Sequence, residues 1–428
     1  MSPVHPTTPL PPEHAFLLRV SSLLNAYGTP AHRLERELLA LAKSLHVTAA
    51  FHSTPTGVIA SFGSGDDERV HLVRVEPGEI DLGRLLDFDE VIEAVRTGQM
   101  TVTHGLDLIE AVEQGAPRYP FVVVALAFAT ASAGAAALFG GHAGEILVSA
   151  LLGSLMFVLA RVLRKHKSGA GTLEPLGAFV AAFVSFACAQ QGWLDDHRLA
   201  TLASLIVLFP GLTMTLALVE LSTGHLVSGV ARLARAGAIF LTIILGVALA
   251  WGVGANLWPP DEGQPLATIA NAHPYFGWFA IACTPVAFAI IFAIRKREWP
   301  AVLVTGWVGF AAATHGAAAL DDRIGPFLGA LTIGIASNIY ARFRHKPALV
   351  LQIPGILFLV PGSLGYSALT EFLVNTSATA VDGAIVDGSG VVLQVKAIEK
   401  VFMTGIVAAS LVGGLLAANL VLPPRREL

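Results

Sequence analysis

Two similar segments decide the fold of this chain: LIVLFPGLTMTLALVE at 205–220 and ILFLVPGSLGYSALTE at 356–371. Each places a Pro-Gly pair inside an apolar stretch, and each has a glutamate ten residues after the proline. The apolar stretches have the length of about 20 residues that crosses a bilayer. The pair therefore predicts a membrane protein with an internal repeat and two interrupted helices.

The composition of the whole chain favours the same class. Of 428 residues, 54% are hydrophobic and only 14% are charged, against about 25% charged residues in an ordinary soluble protein. From Pro120 onward, ten apolar stretches of membrane-spanning length follow one another. They lie near 120–139, 144–163, 173–191, 199–221, 237–255, 275–294, 299–318, 323–343, 348–370 and 400–421.

The same numbers exclude several other classes. Intrinsically disordered chains are rich in charge and poor in apolar residues, unlike this one. Two cysteines cannot build a disulfide scaffold. A net charge of −4 leaves no basic surface for nucleic acid. No cofactor motif is present, and we expect neither a cofactor nor a metal site.

A small soluble domain precedes the spans. Residues 1–119 carry 25 of the charged side chains, and the proline-rich residues 1–13 are typical of a disordered tail. Hydrophobic periodicity then predicts an α+β domain over 14–119. Its helices are expected at 14–28, 31–45, 81–98 and 103–114, and its strands within 46–62 and 69–75.

The ten spans divide into two halves of five, at 120–255 and 275–421, with an external loop at 256–274 and a tail at 422–428. Because five is odd, the second half must run inverted relative to the first, which is typical of secondary transporters. With the soluble domain in the cytoplasm, 14 loop and tail Lys and Arg residues lie on the cytoplasmic side and 4 on the other. This distribution obeys the positive-inside rule.

Three long blocks resemble the threonine/serine exporter family: YGTPAHRLERELLALAKSLHV at 27–47, LFPGLTMTLALVELSTGHLVSGVARLARA at 208–236, and FLGALTIGIASNIYARFRHKPALVLQIPGILFLVPGSLGYSAL at 327–369. The resemblance runs from about Leu17 to about Leu422. It implies a multi-pass protein of the bacterial inner membrane that exports threonine and serine by proton antiport. Some relatives are associated with export of dicarboxylates such as succinate, so that substrate class stays open.

The two Pro-Gly pairs are the candidate substrate site. A helix break frees backbone carbonyls that could bind the ammonium of an amino acid, and backbone amides that could bind its carboxylate. Nearby threonine and serine hydroxyls could bind the hydroxyl of the substrate. The alternative is an ordinary kink. Polar residues Asn338 and Gln352 either line the same cavity or only join helices. The predicted site comprises Pro210, Gly211, Thr213, Thr215, Pro361, Gly362, Ser363, Asn338 and Gln352.

Proton coupling is assigned to Glu220, Glu371 and His315. An acid inside the bilayer is costly and is by default functional, and a histidine titrates near neutral pH. The alternatives are interfacial carboxylates exposed to water and a packed, hydrogen-bonded histidine.

Three functions therefore remain open. The leading one is a secondary exporter of threonine and serine, in which protons, a small amino acid and the lipid bilayer are the partners, and a homo-oligomer is possible. The second is an exporter of small dicarboxylates, which would need a cationic cavity. The third is a membrane-embedded hydrolase, although no HExxH or nucleophile elbow is present. The soluble domain is expected to be structural or regulatory.

The topology makes the first testable prediction. Single cysteines at Gln264 and Asp387, in a chain with Cys188 and Cys283 replaced by alanine, should react with an impermeant thiol reagent from outside intact cells. A cysteine at Lys346 should react only after the cells are opened. The reverse pattern would overturn the number of spans and the orientation.

Overall fold

The computed structural model describes residues 10–76, 78, 80–165, 171–258, 274–321, 323–359 and 389–423. Within them, helices predominate, and one small sheet lies in the amino-terminal part.

The amino-terminal part, for which the sequence predicts a soluble domain and which keeps that name below, has two helices, a three-stranded sheet and two more helices. Helix α1 begins at Pro12, inside the predicted tail, because a proline in the first turn of a helix loses no hydrogen bond. Asp81 caps α3 by accepting a hydrogen bond from the Arg84 amide at 2.8 Å. The elements are α1 (Pro12–Ala26), α2 (Ala31–Ser44), β1 (Ala49–Thr54), β2 (Gly57–Phe62), β3 (Arg69–Arg74), α3 (Leu82–Arg96) and α4 (Val102–Gln114).

The sheet is an antiparallel meander in the order β1-β2-β3. Ala49 pairs with Phe62 at one end of the first hairpin, and Gly57 pairs with Arg74 at one end of the second. Val58, Ala60 and Phe62 are buried. Successive strand residues point to opposite faces, so the even-numbered residues of β2 form the face that packs on the helices.

The described residues of the membrane part form helices joined by turns and short loops, without strands. Six helices are long and apolar enough to cross a bilayer, and four shorter apolar helices lie at 211–222, 275–291, 349–359 and 405–421. The helices are α5 (Phe121–Leu138), α6 (Ala143–Leu163), α7 (Leu173–Gln190), α8 (His197–Ser204), α9 (Gly211–Ser222), α10 (Leu226–Leu257), α11 (Pro274–Ile291), α12 (Trp299–Ala319), α13 (Ile324–Arg344), α14 (Leu349–Leu359) and α15 (Ser389–Val421).

These helices make the chain a polytopic membrane protein. The ten-span arrangement as two inverted halves stays a prediction, since six helices meet the length and composition of a full span. Pro361, Gly362, Ser363 and Glu371 lie outside the described residues.

The fourth predicted span is interrupted at the first Pro-Gly pair. Helix α8 ends at Ser204, α9 begins at Gly211, and turns connect them. Pro210 has no amide to donate, and its ring is incompatible with a continuous preceding turn. Regular helical bonding resumes where the Met214 amide donates to the carbonyl of Pro210 at 2.9 Å. The interruption leaves backbone groups in the interior of the helical part, which is tolerated only beside protein or a cavity.

Close helix packing depends on glycines that face a neighbouring backbone. A Cβ at Gly246 of α10 would lie 2.2 Å from the carbonyl oxygen of Pro175 in α7. Gly252, on the same helix, has nothing within 4 Å of the corresponding position. Small residues at such positions let membrane helices approach each other.

This difference makes a prediction for two alanine variants of α10. Gly246→Ala should lower the thermal midpoint in detergent, because the clash with a backbone carbonyl costs about 1–3 kcal/mol. Gly252→Ala should leave the midpoint unchanged or raise it, since alanine favours the helix by about 1 kcal/mol. Equal midpoints for the two variants would contradict the described packing of α10 on α7.

Candidate functional site

A cavity of about 870 Å3 lies between the soluble domain and the membrane helices. We call it the vestibule. Its floor includes Phe209, Pro210 and Thr213, at the break between α8 and α9, and its roof includes Tyr27 and Tyr119 of the soluble domain. Helices α5, α6, α10 and α11 complete its wall. The interrupted helix therefore opens onto a space large enough for a small metabolite.

The wall of the vestibule carries more positive than negative charge. Two acidic residues line it, Asp81 and Glu113. Burial raises the pKa of Asp81, against the opposing effect of a hydrogen bond from the Arg84 amide. Five arginines line it: Arg84 and Arg118 from the soluble domain, Arg161 and Arg164 from the end of α6, and Arg235 from α10.

The predicted threonines lie on different sides of α9. Thr213 lines the vestibule. Thr215 is buried and lines a second, smaller cavity of about 40 Å3, and its hydroxyl donates to the carbonyl of Gly211 at 3.1 Å. Leu212 lines both cavities, so its side chain lies between them.

Glu220 is fully buried, and its carboxylate joins the soluble domain to the membrane helices. Its oxygens accept hydrogen bonds from the Ala31 amide and the Ser228 hydroxyl, both at 2.9 Å. They also accept from Nε of Arg232 at 3.0 and 3.1 Å. The Ala31 amide is the first of helix α2, where Pro30 has no side-chain oxygen for capping. Glu220 therefore caps a helix of the other domain.

A second contact between the domains is ionic and lies nearer the surface. Arg295, between α11 and α12, pairs with Asp87 and Glu90 of α3, and Glu90 also pairs with Lys346. The hydrogen bond from Arg295 lowers the pKa of Glu90 to about 2. Asp87 also accepts from Arg118 at 2.7 Å. These pairs connect α3 to the loop that precedes α12 and to the loop that follows α13.

Gln352 and Asn338 are both buried, but they have different neighbours. Gln352 lines the smaller cavity, and its Oε1 accepts a hydrogen bond from Nη2 of Arg33 at 3.2 Å. Nδ2 of Asn338 donates to Oδ1 of Asn419 at 2.9 Å and to the carbonyl of Leu422 at 2.7 Å. Asn338 thus joins α13 to α15 and holds Asn419, which itself lines the smaller cavity.

His315 is exposed on α12, and its Nδ1 lies 2.8 Å from the carbonyl oxygen of Ala311. It lines neither of the two cavities described above. The structure thus brings Pro210, Thr213, Thr215, Gln352 and Glu220 into one region around α9, and it places His315 and Asn338 elsewhere.

Sequence reasoning missed Arg33 and Arg232. The predicted spans at 199–221 and 237–255 leave Arg232 in the loop between them, but α10 begins at Leu226, eleven residues before the predicted span, and carries Arg232 towards Glu220. Arg33 is buried beside Leu34 on the inner face of α2. The position of Arg33 next to the apolar stripe of α2 is the one feature of the sequence that could have predicted its burial.

One group of side chains within the described residues could hold a metal ion: His142, Glu145 and Asp195, whose ligand atoms lie within 4.8 Å of one another. Glu145 already accepts backbone hydrogen bonds from His142 at 2.9 Å, Asp195 at 2.7 Å and Asp196 at 3.1 Å. These hydrogen bonds hold the loop at Asp195 and Asp196 against α6, and this structural role accounts for the burial of the Glu145 carboxylate.

Comparison with known families decides the class of this protein. The model of the threonine/serine exporter family ThrE matches residues 15–254, and that of the related threonine/serine exporter family ThrE_2 matches residues 277–421. This chain belongs to the threonine/serine exporter family. Both family models are described as exporters, which agrees with the apolar helices of a membrane protein.

The curated relatives of this chain include fungal membrane proteins. An uncharacterized protein of Schizosaccharomyces pombe is 24% identical over 430 residues, which cover 96% of this chain and 55% of the relative. Pheromone-regulated membrane protein 10 of Kluyveromyces lactis is 26% identical over 387 residues, covering 86% of this chain and 40% of the relative. This chain thus spans about half the length of these relatives or less. No solved structure matches it.

The role of Glu220 in joining the domains makes a prediction. Glu220→Ala should speed hydrogen exchange at the amides that begin α2, because removing one partner of a buried ion pair costs about 3–5 kcal/mol. Ser222→Ala is the matched control on the same helix, since its exposed hydroxyl donates only to its own helix at Val219. Unchanged exchange around Ala31 in Glu220→Ala would mean that the carboxylate does not hold the soluble domain.

Proposed function

We propose that this protein is a secondary transporter that exports threonine and serine from the cytoplasm by proton antiport. The observation that carries the proposal is the break at Pro210, which opens onto the vestibule in a chain of the exporter family. We further propose the bacterial inner membrane as its location, with the soluble domain and the carboxyl terminus in the cytoplasm. The excess of Lys and Arg on that side supports this orientation.

In this proposal the vestibule is the cytoplasmic entrance. A hydroxy amino acid enters between the soluble domain and α10 and reaches the break at the start of α9. There the carbonyl of Phe209 would accept from the ammonium, and the Thr213 hydroxyl would bind the substrate hydroxyl. Pro361, Gly362 and Ser363 would form the corresponding half of the site, as the repeat predicts.

Proton coupling is proposed for Glu220, with Glu371 and His315 as further candidates from the sequence. All three groups that contact the Glu220 carboxylate donate hydrogen bonds to it. A proton on this carboxylate would remove an acceptor and weaken its bonds to Ala31 and Arg232. Protonation would therefore loosen the soluble domain above the vestibule, which gives the proton a route to affect access of the substrate.

Export of small dicarboxylates is the second candidate function. The observation that favours it is the excess of arginine over acidic residues in the wall of the vestibule. A substrate with two carboxylates would be concentrated there more strongly than a zwitterion. However, these arginines lie on the soluble domain and near the cytoplasmic ends of helices, and Pro210 and Thr213 at the break are uncharged.

Efflux from proteoliposomes tests these proposals. Purified protein in vesicles loaded with radiolabelled threonine, serine, alanine or succinate should release threonine and serine fastest, and an inward-directed proton gradient should drive release against a concentration gradient. Alanine should be a poor substrate, because it leaves the polar groups that pair with the hydroxyl unsatisfied. Succinate released in place of threonine would favour the second candidate, and release insensitive to the proton gradient would exclude antiport.

Leucine variants locate the site in the same assay. Gly211→Leu should abolish threonine efflux, because it adds bulk at the start of α9 where backbone must approach substrate. Gly237→Leu is the matched control, since a Cβ there would have nothing within 4 Å. Normal efflux by Gly211→Leu would mean that the break is an ordinary kink.

A further inference from the structure

The vestibule has an apolar wall where the membrane helices line it. Among the described lining residues from Phe121 onward, every side chain is apolar except three arginines and Thr213. Three aromatic rings form a continuous part of this wall: the ring centroids of Phe121 and Phe157 lie 5.1 Å apart, as do those of Phe157 and Phe128. Phe121 begins α5, and Phe128 lies about 10 Å further along that helix. The apolar wall therefore extends from the end of the helix into the depth of the bilayer.

Two arginines lie at the mouth of this apolar space. Arg161 is in the last turn of α6, and Arg235 immediately precedes the mostly apolar run 236–251 of α10. Both line the vestibule. Because each lies at the end of an apolar stretch, its guanidinium reaches the level at which the hydrocarbon layer meets the lipid headgroups. We call Arg161 and Arg235 the mouth arginines.

The mouth arginines are not neutralised within the described part of the chain. The two acidic residues of the vestibule lining are already paired, Asp81 with Arg84 at 3.7 Å and Glu113 with Arg19. Neither mouth arginine forms a hydrogen bond or an ion pair with another described residue. Their guanidinium groups can therefore bind an anion from outside the chain, and the fork of an arginine matches two oxygens of a phosphate.

Basic groups at the end of an apolar wall fit an amphiphile with an anionic head. A dicarboxylate could pair with the mouth arginines, but it would leave the three phenylalanine rings in contact with water, which is unfavourable in proportion to their apolar area. An anionic phospholipid satisfies both features, because its phosphate meets the arginines and its acyl chain covers the rings. Basic pockets between membrane helices are a recognised type of site for such headgroups. The volume of about 870 Å3 lies within the range of about 300–1,000 Å3 that is typical of ligand pockets.

We propose that the vestibule binds an anionic phospholipid from the leaflet on the side of the soluble domain. The mouth arginines hold its phosphate, and one acyl chain lies along Phe121, Phe157 and Phe128. The headgroup lies below the roof that Tyr27 and Tyr119 help to form, so the bound lipid stabilises the docked position of the soluble domain. This site goes beyond the proposed function, because it requires no particular transported substrate.

The test compares two lipids with identical acyl chains, anionic phosphatidylglycerol and zwitterionic phosphatidylcholine. Each is titrated into delipidated, full-length protein in a neutral detergent, and binding is measured by the shift of the thermal midpoint. An arginine near the membrane surface favours an anionic lipid about fivefold, so the wild-type protein should bind phosphatidylglycerol about 25-fold more tightly. In the double variant Arg161→Gln, Arg235→Gln the two affinities should agree within about twofold, because both cations are gone.

Matched variants separate the mouth arginines from general attraction to basic residues. Arg344→Gln removes an exposed arginine from the last turn of α13, outside the vestibule lining, and should preserve the full preference. Arg161→Gln and Arg235→Gln alone should each lower the preference about fivefold, which keeps the test decisive if the double variant does not fold. A double variant that retains the wild-type preference would overturn the inference, as would a wild-type protein without any preference.

Two further measurements test the apolar part of the site. Phe121→Ala should weaken phosphatidylglycerol binding at least about threefold, because an aromatic contact with the acyl chain is lost. Val122→Ala is the matched control, since Val122 is exposed on the same helix but does not line the vestibule. Inorganic phosphate and succinate, at the same concentrations as the lipid, should leave the midpoint unchanged. An equal shift by either soluble anion, or equal lipid binding by the two alanine variants, would mean that no acyl chain occupies the wall and would overturn the inference.

Discussion

The buried carboxylate of Glu220 is the constraint on which the arrangement of the two domains depends. A charge without exposure to water is tolerated only when its partners are close and well oriented. Here the partners come from the next helix, α10, through Ser228 and Arg232, and from the first amide of α2 in the soluble domain. Holding that amide fixes the position of Pro30, His32 and Arg33 against α9 and α14.

The soluble domain packs directly against the membrane helices and shares a hydrophobic core with them. One hydrophobic core includes Phe16, Leu34 and Phe88 of the soluble domain together with Leu212 and Phe288 of the membrane helices. The Leu82 amide also donates to the carbonyl of Phe292 at 2.9 Å, and the Tyr119 hydroxyl donates to that of Ile294 at 2.5 Å. Buried apolar area of this kind contributes more to docking than the exposed ion pairs around Arg295, which salt screens.

The two types of contact have different consequences for motion. The ion pairs of Glu90 with Arg295 and Lys346 can exchange with water at modest cost, because Glu90 is half-exposed. The contacts of Glu220 and Arg33 are buried and cannot break without exposing unpaired groups. Any separation of the soluble domain from the membrane helices at the vestibule must therefore either carry α9 and α14 along with α2 or break the buried bonds of Glu220 and Arg33.

The sequence by itself determined the class and the local elements of this protein. The length of the apolar stretches and the charge of the loops identify a multi-pass membrane protein. A proline lacks an amide and interrupts a helix regardless of how that helix packs, so the sequence alone predicts the break at Pro210. The alternation of buried and exposed residues in β2 and the spacing of the buried leucines in α2 are likewise set by nearby residues of the chain. Only the tertiary structure decided which polar groups meet. Glu220 and Ala31 are separated by 189 positions and Arg33 and Gln352 by 319. No periodicity records such a contact, because its free energy depends on burial and on a partner that the fold brings from elsewhere.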